Sequence, residues 1–116
     1  MASTGYLLKD GDNLVNLKAT AGITASTTQT QGQGPLTSEI NQVAVCANAN
    51  DTVTLPSAVA GRVCIVRNDG ANTLRIFPAS GDNLGSGVDV PVDVGTTNRT
   101  ARFWAYDSTN WFRLIN

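Results

Sequence analysis

Short apolar or alternating segments, separated by polar turns, make up the chain from residue 40 onward. Seven of these segments have the length and composition of β-strands: INQVAVC, TVTLP, RVCIVRN, TLRIFP, VDVPVDV, TARFWAYD and NWFRLI. Asn, Asp, Gly and Ser cluster between them, and no amphipathic segment is long enough to predict a helix. The pattern predicts an all-β fold, a single antiparallel β-sandwich or jelly-roll-like domain.

The pattern also predicts where individual strands lie in the sheets. Residues 63–66 are apolar at every position, which is typical of a central strand covered on both faces. Residues 88–94 alternate valine with Asp or Pro, which predicts an edge strand with a buried valine face. The turns at residues 68–72 and 107–110 predict two β-hairpins. Alternate positions of the most apolar strands predict a core of Val63, Ile65, Leu74, Ile76, Phe103, Phe112 and Leu114.

The first third of the chain differs in composition. Residues 19–38 are rich in Thr, Ser, Gln and Gly and contain few large apolar side chains, so they predict an extended segment that contributes little to a core. Before them, apolar residues flank a polar turn at residues 10–13 and predict a docking element that needs a partner surface. Its candidate interface residues are Tyr6, Leu7, Leu8 and Leu14. We therefore expect an extended N-terminal arm over residues 1–38 and a β-sandwich domain over residues 39–116.

Charge and hydropathy exclude two classes of partner. Eight basic and nine acidic side chains give a net charge of −1, and they are spread along the chain. This distribution offers no basic patch for nucleic acid or for an anionic membrane. The chain also lacks an apolar segment of membrane-spanning length and a secretory signal pattern. We expect a protein made in the cytoplasm that binds neither nucleic acid nor membrane.

Candidate catalytic and metal-binding groups are few. The chain has no histidine, so the commonest general base is missing, and two cysteines alone cannot complete a structural zinc site. Cys46 and Cys64 are expected to be buried thiols, and a disulfide between them requires that their strands lie close together. Asp69, Asp82 and Asp107 all lie in loops that could converge to give a carboxylate pair, although loop aspartates mostly stabilise turns. We expect no enzyme, no metal and no cofactor.

The final hairpin carries the strongest candidate for binding. Trp104 and Tyr106 lie on the face opposite Phe103, and Trp111 follows on the next strand. Exposed aromatic rings can stack on sugars or anchor a protein interface, whereas the simpler alternative is that they fill the core. Several arginines lie in or beside strands, where they protect edges or pair with Asp89, Asp93 or Asp107 of a neighbour. These arginines are Arg62, Arg67, Arg75, Arg102 and Arg113.

Two segments, TLPSAVAGRVCIVRNDGANTLRIFPASGDNL and FWAYDSTNW, resemble a small β domain of virion structural proteins from tailed bacteriophages. The resemblance covers roughly residues 54–111. It implies a capsid decoration (cement) protein on the virion surface that binds the major capsid protein and stabilises the assembled head. Decoration proteins of this kind often occupy threefold positions, which implies a homotrimer. The alternative is a receptor- or carbohydrate-binding fibre or spike module, and the resemblance assigns no catalytic, cofactor or metal residues.

Overall fold

A computed structural model describes residues 16–116, so the predicted docking element with Tyr6, Leu7, Leu8 and Leu14 lies outside the described residues. The described chain contains strands and no helix, which confirms the all-β prediction. Its eight strands are β1 (Ala19–Thr24), β2 (Ile40–Val45), β3 (Asp51–Thr54), β4 (Val63–Asn68), β5 (Leu74–Phe77), β6 (Val92–Val94), β7 (Arg99–Ala105) and β8 (Trp111–Ile115).

The strands form two mixed sheets. A five-stranded sheet has the order β1-β2-β4-β7-β8, and a three-stranded sheet has the order β3-β5-β6. The neighbours β1 and β2, β2 and β4, and β3 and β5 run parallel, whereas the remaining pairs are antiparallel. The prediction of purely antiparallel pairing is therefore wrong. From β2 to β5 the chain alternates between the two sheets. Strand β4 therefore runs parallel to β2 in the larger sheet, and β5 runs parallel to β3 in the smaller one.

One of the two predicted hairpins is present. Strands β7 and β8 pair antiparallel across residues 107–110, as predicted. The turn at residues 68–72 instead carries the chain from β4 in one sheet to β5 in the other, so the hairpin predicted there is wrong. The side chain of Asn68 accounts for this crossing, because its Nδ2 donates to the carbonyls of Asn72 and Gly95 and its Oδ1 accepts the N–H of Gly70. These bonds stabilise a wide turn rather than a tight two-strand connection.

Residues 19–38 lie against the β body. Strand β1 pairs with β2, and the main chains of Ser26 and Thr52 exchange two hydrogen bonds of 2.9 Å. Ala25 and Leu36 are buried in the core, which the composition of this segment did not predict. Main-chain hydrogen bonding explains the difference, because it orders a polar segment that has few large side chains to bury. The division of the chain at residue 38 and the use of its first part as an attachment arm stay predictions.

One hydrophobic core collects side chains from both sheets. Leu74, Ile76 and Phe103 are buried in it, as predicted. The other predicted core residues do not lie there: Val63 and Ile65 are only half-buried, and Phe112 and Leu114 are exposed. The core instead contains the residues next to them in the strands, which are Cys64, Val66 and Trp111, and the loop residue Leu84.

The valine-rich segment forms a shorter strand than predicted. Val92 and Val94 are buried in β6, which lies at the edge of the three-stranded sheet as the pattern predicted. Val88 and Val90 are exposed instead, so the buried valine face does not extend to them. Between them Asp89 adopts a φ of 64°, a left-handed conformation that ends regular strand geometry.

Candidate interaction surface

The outer surface of the five-stranded sheet carries apolar residues on four neighbouring strands, β2, β4, β7 and β8. Opposed residues on neighbouring strands share a face, and two rows cross the sheet. The first row runs Ile40, Ile65, Arg102, Leu114, and the second runs Val63, Trp104, Phe112, with Tyr106 just beyond β7. We call this set of residues the aromatic face.

Three rings at one end of the aromatic face contact one another. The rings of Trp104 and Phe112 stack with centroids 5.2 Å apart and an interplanar angle of 19°. Tyr106 lies with its ring centroid 6.2 Å from that of Phe112, at 32°. Trp104 and Phe112 are directly opposed across the β7–β8 ladder, so the backbone register holds the rings together. The cluster is therefore formed before any partner binds.

The structure brings two of the three aromatic candidates of the hairpin together. Trp104 is half-buried and Tyr106 is exposed on the aromatic face. Trp111 lies in the core, where its ring meets that of Phe103 edge-on with centroids 6.5 Å apart. Phe112 occupies the surface position beside the other two rings. Its signal in the sequence was its position next to Trp111, since only one of two adjacent strand residues can face the core.

Arg102 is the charged residue within the aromatic face. It is exposed between Ile65 and Leu114 and makes no hydrogen bond or ion pair with a residue in 16–116. Arg67, farther along β4, is paired with Asp69 at 2.8 Å and donates to the side chain of Asn98 at 2.7 Å. The aromatic face itself contains no carboxylate, so its local charge is positive.

A groove of about 550 Å³ lies along β8, which forms one edge of the five-stranded sheet. Its lining includes Leu84, Tyr106 and residues 111–115. At the two ends of the hairpin, the N–H of Tyr106 donates to the carbonyl of Asn110 and the N–H of Asn116 donates to that of Thr100. Residues of β8 at even-numbered positions therefore direct their backbone groups toward β7, and the odd-numbered ones direct theirs away from it. By this alternation the N–H groups of Arg113 and Ile115 point away from β7 toward the groove.

Two of the strand arginines, Arg67 and Arg75, form ion pairs with carboxylates of the same chain. Arg75 makes a two-point contact with Asp93 at 2.9 and 3.1 Å, and this hydrogen bonding raises the pKa of Arg75. Asp89 accepts hydrogen bonds from Gln31 and from the backbone of Gly81, which lower its pKa. Such exposed pairs contribute little to stability. Asp93, which the sequence offered as a partner for an arginine of a neighbouring copy, is therefore already paired with Arg75 of its own chain.

The loop aspartates act as hydrogen-bond acceptors for the loops that hold them. The side chain of Gln42 and then Arg67 lower the pKa of Asp69. The side chain of Asn110 and backbone N–H groups of the same turn lower the pKa of Asp107. Asp82 is buried and accepts a backbone N–H at 2.8 Å. Each carboxylate therefore has a structural role in a turn or loop.

Cys46 and Cys64 are both free and buried, so the disulfide left open by the sequence is not formed. Burial raises the pKa of the Cys64 thiol to about 12, and it also raises that of Cys46. Both thiols act as small apolar groups of the core. Within residues 16–116, no group of three His, Cys, Asp or Glu side chains could hold a metal ion, and no helix could cross a membrane.

Comparison of the chain with family models, curated proteins and solved structures found no match. The resemblance to phage virion proteins therefore stays a prediction.

Proposed function

We propose that the chain is a phage virion structural protein, a capsid decoration protein that binds and stabilises the assembled head. The observation that carries the proposal is the aromatic face, a preformed apolar surface on a β body. Contiguous exposed apolar surface of this kind is typical of proteins that act by binding other proteins. The resemblance of residues 54–111 to virion proteins supplies the setting.

A decoration protein needs a rigid body, and the two sheets supply one. We propose that they form a β-sandwich, since both contribute side chains to a single core. A protein that binds only the assembled shell shifts the equilibrium away from broken or expanded shells by mass action. The proposed partners are the major capsid protein and further copies of the chain in a homotrimer on the capsid surface.

Strand β1 is the proposed site of attachment to the shell. It lies at the opposite edge of the sheet from β8, and in the described chain no strand pairs with its outer side. An exposed edge strand can accept an extended segment of a partner through main-chain hydrogen bonds. We propose that the predicted arm, residues 1–38, takes part in the same attachment.

Labelling of intact particles tests the proposed function. Gold-labelled antibodies against the purified chain are applied to particles of the phage whose genome encodes it, and the particles are imaged by electron microscopy. Label on the head surface is the expected result. Label at the tail tip would favour the fibre or spike alternative, and unlabelled particles that also lack the chain by mass spectrometry would refute a virion role.

The carbohydrate-binding alternative rests on the stacked rings of Trp104 and Phe112 beside Tyr106. Such rings can stack on the apolar face of a sugar. Trp104 is partly exposed and Trp111 is buried, so a bound sugar would change the fluorescence of Trp104 alone. Titration with cell-surface polysaccharide of the host checks this alternative, and a Trp104→Phe variant supplies the control for the fluorescence signal.

A further inference from the structure

We infer that the aromatic face is the surface through which the chain binds a second copy of itself. This inference rests on the self-association part of the proposed function and deepens it by naming the contact. It does not depend on attachment to a capsid. Three observations support it: the exposed apolar area, the combination of a cation with rings, and the lack of free acceptors beside the rings.

The exposed area fits the centre of a protein interface. Tyr106, Phe112 and Leu114 are 60%, 53% and 55% exposed, and Ile40 and the half-buried residues of the face adjoin them. A fully covered aromatic side chain buries about 150–250 Å², so the face presents apolar area on the order of 400 Å². A stable interface covers roughly 800 Å² on each partner, of which the rim is polar. The apolar part of the aromatic face therefore supplies roughly half of such an interface, and polar residues around it must supply the rest.

The chemistry of the face is complementary to itself. Arg102 has no partner within the described chain, and exposed rings lie on the same face. A guanidinium group stacks favourably on an aromatic ring when water is excluded. Two copies that meet through this face can place Arg102 of one on the Tyr106 or Phe112 ring of the other. Apolar rows then cover apolar rows.

The position of Arg102 relative to the rings favours a contact that is offset. Arg102 lies opposite Leu114, and the stacked pair lies in the next row along the strands. Direct opposition of Arg102 with its own copy would place like charges together and destabilise the contact. A twofold contact whose axis lies between Arg102 and the rings avoids this, because it sets Arg102 of each copy on the rings of the other. The unit expected from this face is therefore a dimer, and a threefold ring would need a contact between two different patches.

The surroundings of the rings are poor in groups that would recognise a sugar. Binding of a polyol needs convergent polar groups beside the ring that it stacks on. The nearest carboxylate in sequence, Asp107, already accepts the N–H groups of Thr109 and Asn110 at 2.8 and 2.7 Å. The aromatic face itself has an arginine as its charged group. A second copy therefore suits the surface better than a carbohydrate.

The test compares single aspartate substitutions in the full chain. Light scattering and sedimentation over a concentration series give the oligomeric state of the wild type, Phe112→Asp, Leu114→Asp and the control Val88→Asp. Val88 is 61% exposed and lies outside the aromatic face. The wild type and Val88→Asp are expected to associate equally, whereas each face variant dissociates at least about tenfold more readily. Circular dichroism establishes that each variant is folded.

A second series isolates the role of the cation. Arg102→Ala is expected to weaken association several-fold, and Arg102→Lys is expected to restore part of it, because a lysine also interacts with rings but less well than arginine. A wild-type chain that is monomeric at all concentrations would overturn the inference. So would folded face variants that associate like the wild type, or a Val88→Asp variant that dissociates as much as they do.

The outcome is separable from that of particle labelling. An oligomer held by the aromatic face but absent from particles supports this inference and refutes the proposed virion role. A monomer that labels the head refutes this inference, and the aromatic face would then contact the capsid instead.

Discussion

Replacement of Leu36 by alanine tests whether residues 19–38 are part of the folded body. The side chain of Leu36 is 5% exposed and belongs to the hydrophobic core, and its N–H donates to the carbonyl of Thr54 at 2.9 Å. If this segment were a detached arm, the truncation would have no effect on stability. In the structure it removes buried methyl groups that contact the core.

The expected loss of stability follows from the surroundings of Leu36. Truncation of a buried leucine to alanine costs about 2–5 kcal/mol, and the cost is lower where the surroundings can relax into the space that is left. Leu36 lines a small cavity of about 190 Å³ beside the exposed strand β1, where we expect such relaxation. We therefore expect a loss of about 2–3 kcal/mol in the free energy of unfolding. For a domain of this size, that lowers the midpoint of thermal unfolding by roughly 10 °C.

The assay is urea and thermal unfolding followed by circular dichroism. Leu17→Ala is the matched control, because Leu17 precedes β1, is 43% exposed and should change stability by less than about 0.5 kcal/mol. Equal unfolding midpoints for Leu36→Ala, Leu17→Ala and the wild type would refute the packing of this segment. Removal of residues 1–34 is also expected to destabilise the protein, since it deletes β1 and the main-chain bonds between Ser26 and Thr52.

Three further results are expected. A Cβ on Gly34, whose φ is 58°, would lie 2.5 Å from a main-chain oxygen of β3, so Gly34→Ala should lower the unfolding midpoint more than Gly32→Ala, where no atom lies within 4 Å. Hydrogen bonds from Asn110 and its turn lower the pKa of Asp107, so this carboxylate stabilises the fold above its ordinary pKa and the contribution is lost as the pH falls below about 4; Asp107→Asn should show a smaller decrease in unfolding midpoint between about pH 5 and pH 3. Burial raises the pKa of Cys64 to about 12, so Cys64 should resist a thiol reagent in the native protein and react in urea, and rapid native labelling of Cys64 would contradict its burial.

Local features of the fold could be predicted from the sequence because they depend on neighbouring residues. The strand segments and the β7–β8 hairpin follow from alternation and from the turn at residues 107–110. The parallel pairing of β2 with β4 could not be predicted, because an entire strand of the other sheet lies between them in the chain. The same reason hid the contact of residues 19–38 with β3, which depends on main-chain bonds between distant segments.

The aromatic face was hidden from the sequence for a different reason. Residues 63–66 are apolar at every position, so the segment alone gives no basis for choosing which side chains face the core. The register with β7 makes the choice: Cys64 lies opposite the buried Phe103, and this directs Ile65 outward beside Arg102. Strand β8 follows the same rule, because the larger ring of Trp111 occupies the core and directs Phe112 to the surface.

The aromatic face is more apolar than the folding of the monomer requires. If burial in the monomer were the only constraint on these strands, the outward-facing residues next to Cys64 and Trp111 in the sequence would be polar. Outward residues are polar in antiparallel sheets that bury only one face. The outward-facing residues here are Ile65 and Phe112 instead, so the apolar surface on the outer side is in excess of what the core requires. Contiguous exposed apolar side chains of this kind are typical of a surface that a partner covers. Binding is therefore expected at the aromatic face.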